Sequence, residues 1–209
     1  MYAQKKLDPK NQVRRIVALF NRATVDERQE GLAWYRKANT FAQGLAERNG
    51  LSLAQASGIV AALSPQVSWE VNQTLAMKAC AGRSYVGQTR PNMAKASAIR
   101  EGSNPSEVLF TSDKSGQKVR AFYACIADPD GTKEVCIDRH AYSLAEGLLA
   151  NDVKERSNAL RRKGVYEGLA DSYREASRIL GVLPHEAQAV TWLVWRNLKN
   201  DILPPPAEN

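Results

Sequence analysis

The sequence predicts an all-α protein. Three observations carry that prediction. Apolar residues recur at three- and four-residue spacing through most of the chain, cap and breaker residues punctuate the periodic stretches, and no stretch has the alternation of a strong strand. No internal repeat is present, and low complexity is confined to Pro204-Pro205-Pro206.

Taken in order, Val13, Ile16, Val17, Leu19 and Phe20 predict a short helix over Asn11 to Phe20. A longer helix follows over Val25 to Glu47, through Leu32, Trp34, Tyr35, Phe41 and Leu45, and Asn49-Gly50 ends it. Ser52 caps a third helix with Ala54, Ile59, Val60 and Leu63 inward. That helix stops at Ser64-Pro65, because proline keeps the preceding residue out of helical geometry, and Gln66 is left exposed on a turn. Trp69 to Ala81 reads as helix, Gly82 to Pro91 as a polar loop, and Asn92 to Arg100 as a short helix closed by Gly102-Ser103-Asn104-Pro105. Ser106 to Phe110 makes a further short helix.

The stretch from Ser115 to Glu146 organises the rest. Gly116 supplies the freedom a tight turn needs, and Val119, Phe122, Tyr123 and Ile126 recur at helical spacing, which puts Lys118 in the first helical turn. Asp128-Pro129-Asp130-Gly131 ends that helix. Val135, Cys136 and Ile137 form a short buried run, and Asp138 follows at an N-cap position, ahead of Ala141, Leu144, Ala145, Leu148 and Leu149 in a helix ending near Leu149. Read alone, Asp138 is a helix cap.

Asn151 to Gly164 is a polar, basic connector, a solvated face from which Arg161, Arg162 and Lys163 can also reach phosphates. Val165 to Leu180 is helical, with Tyr166, Leu169, Tyr173, Ala176 and Ile179 on one side. Pro184 suits the start of a last helix, whose apolar positions are Ala187, Val190, Trp192, Leu193 and Trp195, with both tryptophans read as core.

With 209 residues, 44% of them hydrophobic and 24% charged, the chain makes one ordinary globular domain or two small lobes, and is not disordered. A net charge of +7 fits a polyanionic partner and fits mere solubility equally. Cys80, Cys125 and Cys136 lack C-x-x-C spacing and read as reduced core residues; with only His140 and His185 beside them, a zinc site is not expected. No apolar stretch reaches membrane-spanning length and the N-terminus lacks a signal-peptide core, so an intracellular protein is expected.

Two segments carry a resemblance. Gly116-Gln117-Lys118, with the run closing in Ile137-Asp138-Arg139-His140, resembles the hairpin and aspartate segments of the helix-hairpin-helix DNA glycosylase superfamily, of the endonuclease III type. Ala61-Ala62-Leu63-Ser64-Pro65-Gln66, with Asn72 beyond it, is similar to that family's Leu-Ser-x-Gln run. A weaker match is Leu183-Pro184-His185 through Trp192, and the matches span residues 55 to 197 in family order. The resemblance implies a two-lobed helical fold. One lobe covers about residues 50–130 with a hairpin at about 106–127, a second covers 1–49 plus 135–200, a cleft lies between them, and 201–209 form a flexible tail. It also implies double-stranded DNA as partner, a flipped nucleotide, a monomer, and no metal or other cofactor. The iron–sulfur cluster common in the group is absent, since no cysteine follows Cys136.

The resemblance also implies roles. A base inside a duplex must be flipped out to be reached, and Gln66 would wedge into the gap; otherwise it is a plain loop residue. The Gly116-Gln117 turn would present backbone N–H groups to a phosphate, with Lys114 standing where the family has its first hairpin glycine, either as a charge contact or as the mark of an altered hairpin. Asp138 would stabilise positive charge developing on the sugar as the N-glycosidic bond breaks. Lys118 would attack the sugar as a Schiff-base nucleophile, followed by β-elimination, or else contact phosphate only. His140 is read as ordering the turn rather than as a general acid, and Arg139 as a phosphate ligand or a partner of Asp138. Trp69 and Tyr142 line a base pocket or serve as core. Two other readings stay open. One is a glycosylase-fold enzyme of phage thymine hypermodification, which alters a flipped base without excising it and needs a small-molecule donor. The other is a DNA-binding module without catalysis.

Overall fold

The computed structural model describes residues 8–110, 116–147 and 158–202, with side chains in the last helix as far as residue 198. The described residues contain helices and connecting turns and no strand. The helices are α1 (Pro9–Asn21), α2 (Val25–Asn49), α3 (Leu53–Ala62), α4 (Trp69–Cys80), α5 (Arg90–Arg100), α6 (Pro105–Leu109), α7 (Gln117–Ala127), α8 (Arg139–Glu146), α9 (Val165–Leu180) and α10 (Pro184–Ile202).

Their starts follow cap chemistry. Asp8 accepts from the N–H groups of Lys10 and Asn11 with Pro9 in the first turn, so α1 begins before its first apolar residue. Ser52 and Gln55 form a reciprocal capping box on α3, and Ser68 caps α4. Thr89 caps α5, which therefore starts at Arg90 rather than Asn92; Pro91 falls in the first turn, where no N–H is needed. The aspartate helix α8 ends at Glu146 instead of near Leu149, because Gly147 takes a left-handed C-cap with φ of 65°. Leu148 and Leu149 lie outside the described residues. At the other end of the chain α10 runs on to Ile202, into the stretch expected as tail.

The chain packs as two units, a terminal one of Met1–Trp34 and Ile137–Asn209 and a central one of Tyr35–Cys136. The division falls inside α2, whereas the resemblance implied one between residues 49 and 50. Residues of α2 explain this. Glu27 accepts from Asn197 and Gly31 lies against Val190, both partners on α10, whereas Tyr35 meets Phe122 edge-on at 6.1 Å and Asn39 donates to the Ile126 carbonyl at 2.7 Å, both on α7.

In the central unit α3 is the hub, contacting α4, α5, α6 and α7. A helix apolar on every side belongs inside, and residues 56–63 are all buried. Small side chains allow the close approaches, Gly58 above all, where an added Cβ would stand 2.7 Å from Pro105 Cβ on α6. In the terminal unit α1 packs on α8, α9 and α10, and α10 on α8 and α9. Tyr166, Leu169, Tyr173 and Ala176 line the buried side of α9, but Ile179 is 61% exposed. Thirteen residues at about 100° each carry it away from Tyr166's side, and Ser177 takes the inward place. Trp192 and Trp195 are half-buried rather than core, Trp192 carrying the Arg196 guanidinium 4.7 Å over its ring. The three cysteines are buried thiols outside any disulfide. No described helix is long and apolar enough to cross a membrane.

The contact of α2 with α10 sets a test. A Cβ at Gly31 would stand 2.6 Å from Val190 Cα, so the two backbones must separate to admit it. Gly31→Ala is expected to lower unfolding stability by about 1–3 kcal/mol in spite of its better helix propensity, read from denaturant midpoints.

Candidate functional site

The residues singled out from the sequence fall into both units. In the terminal unit the extended run before α8 delivers Asp138 as the N-cap of that helix. Its Oδ1 accepts from the N–H groups of His140 and Ala141, each at 2.8 Å. No described residue bonds to Oδ2, and Arg139, which is exposed, forms no ion pair with this carboxylate among the described residues. The helix cap and an available carboxylate oxygen thus coexist in one half-buried side chain. His140 is half-buried and its backbone orders the turn, while Tyr142 is half-buried one turn on.

Two tyrosines of α9 frame this segment, and neither was singled out for it. Tyr166 accepts the Ile137 N–H at 3.2 Å on its hydroxyl, fixing the residue before Asp138. Tyr173 is fully buried and its hydroxyl has no hydrogen-bond partner. Burial raises its pKa, the neighbouring Thr191 hydroxyl opposes that in part, and the Asp138 charge adds a lesser push upward. Sequence periodicity marks both tyrosines as inward; only the tertiary placement of α9 shows what their hydroxyls meet.

In the central unit Gly116 adopts φ of 91° and starts α7, and as a glycine it offers the first N–H groups of that helix no side-chain acceptor of its own. Gln117 is half-buried and Lys118 exposed in the first turn, as the spacing predicts. The Lys118 carbonyl faces the Cys136 thiol at 3.7 Å. Lys114 lies outside the described residues.

Gln66 occupies the turn between α3 and α4, exposed, with φ of 65°. Among the described residues it is the sole non-glycine with positive φ, a conformation costing a side chain-bearing residue about 1–2 kcal/mol. Its amide bonds to no described residue. Trp69 starts α4 with its ring edge-on to Phe41 at 5.7 Å, a packing role within this unit. Asn72 is core, its amide donating to the Val60 carbonyl at 3.0 Å and tying α4 to α3. Nothing in the local sequence pattern marks Gln88, whose amide bonds to the carbonyls of Leu63 and Pro65 just before Gln66.

A model of one family of unknown function, DUF7178, matches residues 1–199, nearly the whole chain. The chain belongs to that family. No curated protein and no solved structure matches it. The functional reading of this DUF7178 chain therefore rests on its own residues and on the motif resemblance.

Both special positions can be tested by stability alone. Asparagine caps helices as well as aspartate does, so Asp138→Asn should change unfolding free energy by a few tenths of a kcal/mol, whereas Asp138→Ala should lose roughly 0.5–2 kcal/mol. Gln66→Gly, which accepts positive φ without strain, should leave stability unchanged or raise it by up to about 1 kcal/mol in the same denaturation experiment. A loss above that range for Gln66→Gly means that the Gln66 side chain serves the fold.

Proposed function

We propose that this protein is a DNA glycosylase of the helix-hairpin-helix type, which flips a damaged or modified base from duplex DNA and cleaves its N-glycosidic bond. The observation that carries this reading is the Asp138 carboxylate, anchored through one oxygen by two backbone N–H groups and presenting the other, to which no described residue bonds. A carboxylate so held can face positive charge as it develops on the sugar without reorganising, which is how fixed groups lower such a barrier. Its free oxygen can also accept a proton from an attacking water. The exposed, left-handed Gln66 adds support, since a wedge must project from a firm turn and carry an amide able to pair with the widowed base. The uncapped start of α7 suits a backbone phosphate, which positions DNA without reading its sequence.

Lys118 is the open term of the mechanism. Its ammonium is exposed and hydrated in the free protein, so DNA itself must bury it before it can act as a Schiff-base nucleophile. Without that burial it serves as a phosphate contact, and the enzyme releases the base and stops.

The test is a panel of labelled duplexes carrying uracil, 5-hydroxymethyluracil, oxidised pyrimidines, 8-oxoguanine or an abasic site, assayed for base release and for borohydride-trapped adduct. At least one substrate should release its base, and Asp138→Asn should slow release by about 10²–10⁴-fold while binding persists. An adduct that vanishes in Lys118→Ala makes the enzyme a bifunctional glycosylase and lyase; base release that survives this change assigns Lys118 to phosphate. Tight binding with neither release nor adduct on any duplex sinks the glycosylase reading, and leaves base modification with a small-molecule donor or DNA binding alone.

A further inference from the structure

We propose that Gln88 is the positioning residue for the Gln66 wedge, fastening the α3–α4 turn so that Gln66 stays in its left-handed conformation with its amide directed to solvent. This rests on the reading of Gln66 above. The Gln88 Nε2 donates to the Leu63 carbonyl at 3.0 Å and to the Pro65 carbonyl at 2.9 Å. Its Oε1 accepts from the Thr89 N–H at 2.8 Å and from Asn92 Nδ2 at 3.0 Å. Both donors and both lone pairs of the amide are thereby engaged, so the side chain has a single orientation.

The two carbonyls it holds matter for their position. Leu63 is the C-cap of α3, whose carbonyl has no acceptor role left within the helix, and Pro65 directly precedes Gln66. On the far side the turn is secured by Ser68, which caps α4, and by Trp69 packed on Phe41. Gln66 therefore sits between two anchored ends, and the peptide entering it is fixed by Gln88. A non-glycine residue keeps positive φ only where its surroundings over-determine the backbone, and this side chain supplies that determination on the entering side. Because Pro65 has no N–H, the turn cannot use a hydrogen bond from that residue's own amide, which increases its dependence on an outside donor.

The alternative is that Gln88 serves α5 alone through its Oε1. Gln88→Glu separates the two roles: the carboxylate keeps acceptors for Thr89 and Asn92 and removes both donors to the turn. Gln88→Leu removes everything. In the free protein, the backbone 15N order parameters of Gln66 and Val67 should fall in both variants from about 0.85 toward 0.6 or less, while the thermal midpoint moves little. The DNA probe is a duplex with one tetrahydrofuran abasic analogue opposite 2-aminopurine, compared with the same abasic strand alone. Duplex affinity should fall about tenfold in Gln88→Glu and in Gln66→Ala, single-strand affinity should hold, and the double variant should be no worse than Gln66→Ala, since Gln88 acts through Gln66. Unchanged order parameters overturn the clamp whatever the DNA result. Mobile turn residues with duplex affinity lost only in Gln66→Ala overturn the positioning role. If Gln66→Ala itself leaves duplex binding intact, the wedge reading falls and this inference with it, while the order parameters still report whether Gln88 holds the turn.

Discussion

A buried stretch of backbone that is neither helix nor sheet sets the terms for the rest of this protein. Val135, Cys136 and Ile137 are buried, and buried amides and carbonyls must find partners that no ladder provides here. Side chains supply partners at Ile137 and at Glu134 just before the run. Tyr166 takes the Ile137 N–H, the Cys125 thiol donates to the Glu134 carbonyl at 3.3 Å, and the Thr132 hydroxyl receives the Glu134 N–H at 3.1 Å. Burial holds the Cys125 pKa well above that of an ordinary thiol, so the group stays a donor. The run passes from the central unit to the terminal one at Cys136, and Asp138 is the first residue after it that can start a helix. Its position follows from that of the run.

What could be read from the sequence was local. An aspartate, serine or threonine before an apolar periodic stretch caps the helix it precedes because cap and helix are a few residues apart, and this held at Ser52 and Asp138. Gly116 before α7 and Asp128 after it were legible for the same reason. The misjudged boundaries were local too, but they hinged on one residue outweighing a pattern: Thr89 over the loop-like Gly82 to Pro91, and Gly147 over the apolar Leu148-Leu149. The rest required tertiary structure. Gln88 reaches back 25 residues to Leu63, Tyr166 lies 29 residues beyond Ile137, and Gln12 links Glu146 and Ser172, 134 and 160 residues away. No periodicity encodes such pairs. The division of α2 between units was hidden similarly, since the helix is continuous and only its partners change.

The two positions on which the proposed chemistry rests each serve the fold with half of what they offer. Gln66 completes a turn with its backbone and keeps its side chain free. Asp138 caps α8 with Oδ1 and keeps Oδ2. For a catalytic carboxylate this division has a physical advantage, because the cap fixes the orientation of the whole group and the unused oxygen inherits that orientation without a hydrogen bond of its own. An aspartate on a flexible loop would have to lose that freedom on meeting its substrate. Here the helix has already removed it.

Tyr173 extends the argument to the protein behind Asp138. A hydroxyl in a sealed interior without a well-formed bond to a described residue costs up to about 1–3 kcal/mol, and phenylalanine would fill nearly the same volume without that cost. The raised pKa, due first to burial, keeps the group a neutral phenol near neutral pH. The costs borne at Gln66 and at Tyr173 are of the kind that recur where a chain is shaped for chemistry as well as for folding. Gln66 is itself a residue that the sequence motifs marked, and Tyr173 feels the charge of another, Asp138.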